Sequence, residues 1–354
     1  MKVMGGIEDG DKIRCGGGGR EQLADRIPLE MPYALYISPA HICNFKCFYC
    51  LQGKTAQEKK DLGILPRLMD MDTARKIATC AAEFPGKLKR LMFSGCGEPL
   101  THPEFPEIVR QFSSRDVSQK YELNTNAALL TPELSDRMIE AGINGIRISI
   151  QGLSAAKYKE VCGVSLDYDC FMDNLKYLYE HKKDCSIYIK IIDSCLEPTE
   201  KDEDFYRLFG DVCDRMYVEH FIQAQPNMED VYGRKHIQND KTIHGKETVK
   251  QTVCPLMFYQ MQVDAAGNVF PCCVVGLSES FALGNVQKES LTHIWGNHKH
   301  QKLWLDGLSR QLDEWEICKK CNAYVSITQK EDRVDDADEA IRERILKWER
   351  KRTG

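Results

Sequence analysis

Between residues 33 and 222, short apolar runs alternate with longer segments whose apolar residues recur at helical spacing. The short runs predict six strands, at 34–38, 90–94, 121–125, 145–150, 186–192 and 216–221. The longer segments predict helices at 71–84, 104–112, 132–142, 168–181 and 202–212. Strands that alternate with helices form parallel βαβ units. The pattern therefore predicts an α/β fold, a partial (β/α)6 TIM-like barrel with its chemistry at the carboxyl ends of the strands.

Two of the predicted strands combine an apolar face with a polar one. In residues 145–151, isoleucines occupy every second position, and the positions between them hold Arg147, Ser149 and Gln151. In residues 186–192, isoleucines alternate with Tyr188 and Lys190. Because strands of a parallel sheet are usually apolar on both faces, a polar face on a central strand indicates a lumen that holds a polar ligand. The alternative is a pair of edge strands with one face in water.

The rest of the chain lacks this alternation. The polar segment 223–253 predicts a linker or a substrate-facing loop, residues 258–273 a hairpin that turns at 266–268, and residues 289–308 a helix. Charged residues 331–350 carry apolar positions at helical spacing, which predicts an amphipathic helix packed on the body. We therefore expect a flexible Gly-rich leader (1–32), the barrel (33–222), the linker or loop (223–253), a second module (254–325) and a C-terminal helix (326–354).

Composition and charge indicate which class of protein this is and in which compartment it is expected. The 354 residues carry 48 basic and 53 acidic side chains, a formal charge of −5, which gives no support for a nucleic-acid or membrane surface. No run approaches the roughly 18 apolar residues of a spanning helix, and the first residues lack the apolar core of a secretory signal. We expect a cytoplasmic protein with reduced thiols, in which the 16 cysteines are metal ligands and buried thiols rather than disulfides.

Three cysteines follow the first predicted strand in the pattern C-x3-C-x2-C: Cys43, Cys47 and Cys50. A structural zinc site takes four ligands. Three local thiolates fit a [4Fe–4S] cluster with one iron left open to a small molecule, since cysteine thiolates are the usual ligands of such clusters. A zinc ion with a distant fourth ligand is the alternative.

Further stretches in the same order along the chain make it resemble the radical S-adenosylmethionine (SAM) superfamily. They are "GCGEP" at 95–99 with "LTHPEF" after it, "LNTNA" at 123–127 and "SIQG" at 149–152. The resemblance implies that Tyr49 contacts the adenine of SAM and that the stretch with Gly97, Glu98 and Pro99 holds its amino group. It also implies that further polar residues lie near SAM, namely Asn124, Asn126, Ser149 and Gln151, the last in place of an acid.

Many relatives carry an arginine that pairs with the SAM carboxylate shortly after the last of these motifs. Here Cys162 occupies that place, and Arg147 or Lys190 is expected to substitute. The resemblance further implies that the reduced cluster donates an electron to SAM. Cleavage of SAM then gives a 5′-deoxyadenosyl radical, which takes a hydrogen atom from the substrate. A flavodoxin or ferredoxin is the expected reductant, and the protein positions the reactants and excludes water.

A second set of cysteines, Cys254, Cys272, Cys318 and Cys321, lies toward the end of the chain. It resembles the C-terminal SPASM module in its shortened "twitch" form, which implies one auxiliary [4Fe–4S] cluster; a four-cysteine zinc site is the alternative. Four protein ligands leave no iron open, so electron transfer is the expected role. Cys273 is expected to be a buried thiol.

The substrate is open among three hypotheses. The first is oxidation of a secondary alcohol of a sugar or aminocyclitol, with Lys190, Glu219 and His220 as candidates for binding or for accepting the hydroxyl proton. Strand alternation sends Glu219 and His220 to opposite faces. The second is peptide epimerisation or crosslinking, with possible hydrogen-atom donors at Cys96, Cys162 and Cys195. The third is a non-catalytic zinc-binding scaffold.

Overall fold

The computed structural model describes residues 21–353 except 229–230, 232–239 and 249. A parallel sheet at its centre has six strands within two residues of the predicted bounds. They are β1 (Ala34–Ile37), β2 (Arg90–Phe93), β3 (Tyr121–Thr125), β4 (Gly145–Ile150), β5 (Ser186–Ile192) and β6 (Arg215–Glu219). Each strand pairs in parallel with the next one along the chain. This order confirms the predicted partial barrel.

One helix precedes β1, and the others lie between the strands. They are α1 (Leu23–Arg26), α2 (Ala56–Asp61), α3 (Met71–Ala82), α4 (Phe105–Ser113), α5 (Pro132–Glu140), α6 (Ala155–Cys162), α7 (Tyr168–His181) and α8 (Asp202–Phe209). Five starts are fixed by capping side chains that accept the backbone N–H three residues later, from Thr55, Asp70, Thr131, Ser154 and Asp167. The prediction missed the short helices α1, α2 and α6, which have too few turns to show a clear apolar period.

The sheet does not close into a complete barrel. Strand β6 is one edge, and beyond β1 the sheet continues with β7 (Gln260–Val263), β8 (Asn268–Phe270) and β9 (Gly284–Asn285). Strands β7 and β8 form the predicted antiparallel hairpin, whose turn contains Gly267 at a φ of 82°, a conformation that favours glycine. Strand β7 also pairs in parallel with β1. The barrel and the C-terminal module therefore share one sheet.

The C-terminal module contains α9 (Leu291–Ile294), α10 (His298–Leu308), α11 (Glu316–Lys320) and α12 (Ala323–Ile327), and α13 (Asp338–Thr353) follows. The prediction of one helix over 289–308 is wrong. Gly296, at a φ of 72°, interrupts it, and the Asn297 side chain caps α10 by accepting the N–H of His300 at 2.9 Å. The predicted C-terminal helix is confirmed, since Ile341 and Ile345 on α13 are fully buried.

The two faces of the central strands differ as predicted. The alternating isoleucines of β4 and β5 are at most 1% exposed and belong to the main apolar core. Arg147, Ser149, Tyr188 and Lys190 are half-buried on the opposite face, which we call the lumen. Because β4 and β5 lie inside the sheet, the edge-strand alternative is wrong.

The N-terminal prediction needs a correction. Residues 1–20 of the expected leader 1–32 lie outside the described residues. Residues 21–32 include α1, and Leu23 and Ile27 are buried in the core at 4% and 1% exposure. A flexible leader is therefore wrong for residues 21–32. Among the described helices, none is both long enough and apolar enough to cross a membrane.

Candidate active site

The cysteine triplet lies on the loop that leaves the carboxyl end of β1. The backbone N–H of Lys46 donates to the carbonyl of Cys162 at the end of α6, at 2.9 Å. The N–H of Cys50 donates to the carbonyl of Cys47 at 3.0 Å, which forms a tight turn. The thiols of Cys43, Cys47 and Cys50 are close enough to raise one another's pKa. The structure therefore brings the three predicted ligands together.

The surroundings of these sulfurs fit a multi-iron cluster. Burial raises the pKa of Cys43 to about 12, so its thiolate needs a cationic partner such as iron. A zinc ion with Zn–S bonds of about 2.3 Å would draw its sulfurs to about 3.8 Å from one another. Within the described residues, no three Cys, His, Asp or Glu side chains are close enough to hold a single metal ion. The three cysteines of this loop supply the thiolate ligands that an iron–sulfur cluster takes.

The "GCGEP" stretch follows β2 and is fastened to β3 through Glu98. Its carboxylate accepts hydrogen bonds from the Thr125 hydroxyl at 2.7 Å, the Asn126 N–H at 2.8 Å and the Leu100 N–H at 3.1 Å. Glu98 is 4% exposed, and burial raises its pKa to about 7. Pro99 begins a 3-10 turn next to it. Since three protein donors occupy the Glu98 carboxylate, this residue orders the stretch.

Gly97 brings the same stretch against the cysteine loop. A Cβ at this position would lie 2.3 Å from the carbonyl oxygen of Ile42 and 2.5 Å from that of Ala40. The adjacent N–H of Glu98 donates to the Ile42 carbonyl at 2.9 Å. Position 97 therefore requires glycine, because the backbone of Ile42, the residue before Cys43, approaches it closely.

Asn124 and Asn126 lie at the carboxyl end of β3. The Asn126 amide donates to Asn44 Oδ1 at 2.9 Å and approaches Cys43 Sγ at 3.8 Å. The Asn124 amide donates to Ser94 Oγ at 3.4 Å, while its Oδ1 is buried without a hydrogen-bond partner. A buried acceptor of this kind calls for a donor from a ligand, which fits the predicted place of SAM.

Tyr49, Ser149 and Gln151 form a second group beside the cysteines. The Tyr49 hydroxyl donates to Gln151 Oε1, and Cys47 Sγ lies 3.9 Å from the same oxygen. The Gln151 amide donates to the Ser149 carbonyl at 3.2 Å. The Tyr49 ring meets that of Phe221 edge-to-face, with centroids 5.7 Å apart. Gln151 thus connects the cysteine loop to the end of β4.

The two candidate partners of the SAM carboxylate both have other partners. Arg147 Nη2 lies 3.7 Å from Glu122 Oε1 and the guanidinium is 6.0 Å from the centre of the Tyr188 ring. Lys190 Nζ lies 2.7 Å from Glu219 Oε2. To bind SAM, either cation would have to contact the SAM carboxylate in addition to the glutamate with which it is already paired.

The three candidate substrate residues do not form one group. Lys190 and Glu219 meet in the lumen, where the Tyr188 hydroxyl also donates to Glu219 at 3.3 Å. His220 follows β6 and its Nδ1 lies 2.8 Å from Asp193 Oδ2. This separation agrees with the alternation of the strand.

The second cysteine set is brought together from three elements. Cys254 precedes a 3-10 turn, Cys272 follows β8, and α11 carries Cys318 with Cys321 at its end. Cys254 lies close enough to Cys318 and Cys321 for their charges to raise its pKa, and Cys272 close enough to Cys254 and Cys318. Burial raises the pKa of Cys318 to about 12. Four half-buried thiols fit a cluster whose irons are all held by protein.

Sequence profiles of known families match both parts of the chain. The profile of the radical SAM superfamily matches residues 37–211, and that of an iron-sulfur cluster-binding domain, SPASM, matches residues 254–322. The chain belongs to the radical SAM superfamily. The non-catalytic zinc scaffold is therefore wrong. The two domains bring SAM, a SAM-binding [4Fe–4S] cluster and an auxiliary [4Fe–4S] cluster as cofactors of this radical SAM protein.

Curated relatives match this radical SAM protein over part of its length. A probable GTP 3′,8-cyclase of Methanococcus vannielii is 33% identical over 132 residues, 37% of this chain and 40% of the relative. The tungsten-containing aldehyde ferredoxin oxidoreductase cofactor-modifying protein of Pyrococcus furiosus is 32% identical over 123 residues, 35% of this chain and 32% of the relative. The chain thus spans about two fifths or less of the length of these relatives.

Solved structures share the fold over most of the chain. BtrN in complex with AdoMet and 2-DOIA has a TM-score of 0.54 at 16% identity, covering 85% of this chain and 96% of BtrN. Native anSMEcpe with bound AdoMet has a TM-score of 0.54 at 15% identity, covering 89% and 98%. These likenesses concern the fold of the radical SAM barrel with its C-terminal module.

Three polar residues near the site were not predicted. Gln225 reaches Cys50 Sγ with its amide at 4.0 Å, Asn44 accepts from Asn126, and His244 lies against Tyr217 with ring centroids 4.9 Å apart. Gln225 and His244 belong to the polar segment 223–253, which has no apolar period from which to place a side chain. The expectation that this segment faces the substrate was the only available signal.

Proposed function

We propose that this radical SAM protein oxidises a secondary alcohol of a sugar or aminocyclitol. Cys43, Cys47 and Cys50 would hold the SAM-binding cluster, and Cys254, Cys272, Cys318 and Cys321 the auxiliary cluster. The first supplies, with SAM, a radical that takes a hydrogen atom from the substrate, and the second accepts an electron. SAM itself would contact Tyr49, the "GCGEP" stretch and the polar ends of β3 and β4.

The charged side chains of the lumen are the main support for this proposal. Lys190 and Glu219 are 2.7 Å apart there, and Glu122 pairs with both Arg147 and Arg90. These pairs offer hydrogen-bond donors and acceptors, while most of their charge is compensated. Such a surface suits a neutral or singly charged ligand rich in hydroxyl groups, since each hydroxyl both donates and accepts.

The auxiliary site adjoins the same lumen. Strand β7 pairs with β1, and β8 leads directly to Cys272. The neighbouring Cys273 accepts a hydrogen bond from the Gln260 amide at 3.5 Å and contacts Tyr36 of β1. Short covalent and hydrogen-bonded connections between the auxiliary cluster and the lumen support electron transfer from the substrate.

Two other substrates, GTP and a peptide, are tested together with the alcohols. The GTP 3′,8-cyclase name of several relatives suggests GTP, whose triphosphate calls for uncompensated cations, whereas the luminal cations described above are paired. Native anSMEcpe with bound AdoMet and Cp18Cys peptide shares the fold with a TM-score of 0.52, which suggests a peptide. Against epimerisation, Cys162 and Cys195 are fully buried in the apolar core, which leaves Cys96 as the remaining donor candidate.

The reconstituted protein is incubated anaerobically with SAM, a reductant and one probe at a time: 2-DOIA, myo-inositol, glucosamine, GTP or a cysteine-containing peptide. Mass spectrometry should find a cyclitol or sugar product two mass units lighter than its substrate, formed with 5′-deoxyadenosine. A cyclised nucleotide or a modified peptide, with the cyclitols and glucosamine unchanged, would contradict the proposal. Ferredoxin and flavodoxin are compared as reductants.

A further inference from the structure

The described residues 240–248 form a small hairpin beside β6. The N–H of Thr242 donates to the carbonyl of Lys246 at 2.7 Å, and Lys241 and Glu247 form an antiparallel bridge. The N–H of His220, just after β6, donates to the carbonyl of Ile243 at 2.9 Å. We call this segment the side hairpin. It lies at the open edge of the sheet.

The side hairpin also contacts the C-terminal module. The N–H of Ile243 donates to the carbonyl of Ser326 in α12 at 3.1 Å. Ser326 is itself buried at 1% exposure. The side hairpin therefore bridges the free edge of the barrel and the module that carries the auxiliary cysteines. Its position is fixed from both sides by backbone hydrogen bonds.

His244 lies at the turn of the side hairpin and meets the luminal face of β6. The Tyr217 hydroxyl donates to the His244 carbonyl at 2.8 Å, and the two rings meet edge-to-face at 88° with centroids 4.9 Å apart. Tyr217 shares its strand face with Glu219 and is the register partner of Lys190. The imidazole is thereby held next to the Lys190–Glu219 pair.

The charged groups that face His244 come from several elements. They are Glu219 on β6, Lys190 on β5, Arg147 on β4 and Lys246 in the side hairpin itself. Burial, together with the three cations, lowers the pKa of His244, and Glu219 opposes them. The imidazole is therefore neutral near pH 7, the form that accepts a proton.

We propose that His244 accepts the hydroxyl proton of the substrate alcohol in the lumen, beside Lys190 and Glu219. This inference rests on the proposed alcohol oxidation. Converting a carbinol to a ketone removes a hydrogen atom, an electron and a proton. The hydrogen atom would go to the radical formed from SAM and the electron to the auxiliary cluster. The proton would go to the imidazole of His244. The product is the ketone, and the imidazolium returns its proton to solvent.

The test compares wild type, His244→Gln, His244→Asn and His293→Asn with the cyclitol or sugar that wild type oxidises. His293 is an exposed histidine paired with Glu289, and its variant serves as the control. In both His244 variants we expect kcat for ketone formation to fall about 100-fold or more. The acid limb of the wild-type pH profile should disappear in both of these variants. The control should match wild type.

A separate readout is the NMR titration of ring-labelled histidine in the reconstituted protein, where the signal lost in His244→Gln should titrate below the ordinary pKa of about 6.5. Unchanged kcat and an unchanged acid limb in either folded His244 variant would overturn the role of His244 and leave the alcohol oxidation standing. A raised KM with unchanged kcat would overturn it as well, since that indicates binding alone. Failure of wild type to oxidise any of the probes would overturn the proposed function and, with it, this inference.

Discussion

Lys190 and Glu219 form an ion pair inside the lumen, with Nζ 2.7 Å from Oε2. The pair joins the neighbouring strands β5 and β6. The Glu219 side chain is only 9% exposed and that of Lys190 is 25% exposed. A charged pair in a largely buried place is costly to desolvate, so we attribute it to substrate binding rather than to stability.

The first prediction concerns this pair. Lys190→Met leaves the Glu219 carboxylate buried without its cation and should lower the free energy of unfolding by about 1–3 kcal/mol. Lys190→Met combined with Glu219→Met should recover most of that loss, because apolar residues can replace a buried pair at little cost. Both variants should lose alcohol oxidation. Urea unfolding and product analysis measure the two effects.

The matched control for the pair is Asp72→Asn, since Asp72 and Arg75 form an exposed pair with side chains 89% and 53% exposed. It should change stability by no more than about 0.5 kcal/mol. A double variant that is no more stable than Lys190→Met would contradict the account of a buried, compensated pair. Full oxidation by the double variant would contradict its role with substrate.

The second prediction uses two glycines. Gly97→Ala places a Cβ against the carbonyls of Ile42 and Ala40, so the loop that leads to Cys43 must shift. We expect SAM affinity to fall about tenfold or more, as for the loss of roughly 1.4 kcal/mol of binding free energy. Anaerobic equilibrium dialysis with labelled SAM measures it. Gly210→Ala is the control, because no atom lies within 4 Å of its Cβ position; equal affinities in the two variants would contradict the packing argument.

The third prediction concerns Glu98, whose pKa burial raises from 4.5 to about 7. Between these values the folded protein holds a proton that the unfolded chain has released. The free energy of unfolding therefore falls as pH rises through this window. The Glu98→Gln variant lacks this dependence, so its stability relative to wild type should increase from pH 5 to pH 7. Chemical unfolding of the SAM-free proteins at several pH values checks the sign.

The sequence predicted the strands well, and it allowed two cysteine sets to be proposed as cluster ligands, because these signals are local. The alternation along β4 and β5 specifies both the strand and its polar face, and C-x3-C-x2-C needs no tertiary information. The break at Gly296 was missed because the apolar residues on both sides keep helical spacing. A positive φ at one glycine ends the helix all the same.

Long-range relationships escaped prediction for a physical reason. The pairing of β7 with β1 joins residues far apart in the chain, and no local pattern encodes it. His244 lies in a polar segment whose position depends on backbone bonds to β6 and α12. The partner of Lys190 is likewise set by strand register, since Glu219 and His220 differ by one residue and face opposite sides.

The fourth prediction concerns the cysteine sets. The front set should control SAM cleavage, so replacing Cys43, Cys47 or Cys50 with Ala should abolish formation of 5′-deoxyadenosine. Iron and sulfide analysis should give about eight irons per wild-type chain and about four in each of these variants, one cubane fewer. Bound zinc without sulfide in wild type would contradict both cluster assignments. Cys170→Ala is the control, because Cys170 is an exposed cysteine on α7.

The central claim is that the two cysteine sets divide the reaction, the front set starting it with SAM and the rear set accepting the substrate electron. The most direct measurement uses Cys318→Ala, reconstituted anaerobically, with SAM, reductant and the alcohol that wild type oxidises. Quantifying both products should show 5′-deoxyadenosine still forming while the ketone is absent. Ketone formation at the wild-type rate in this variant would contradict the claim.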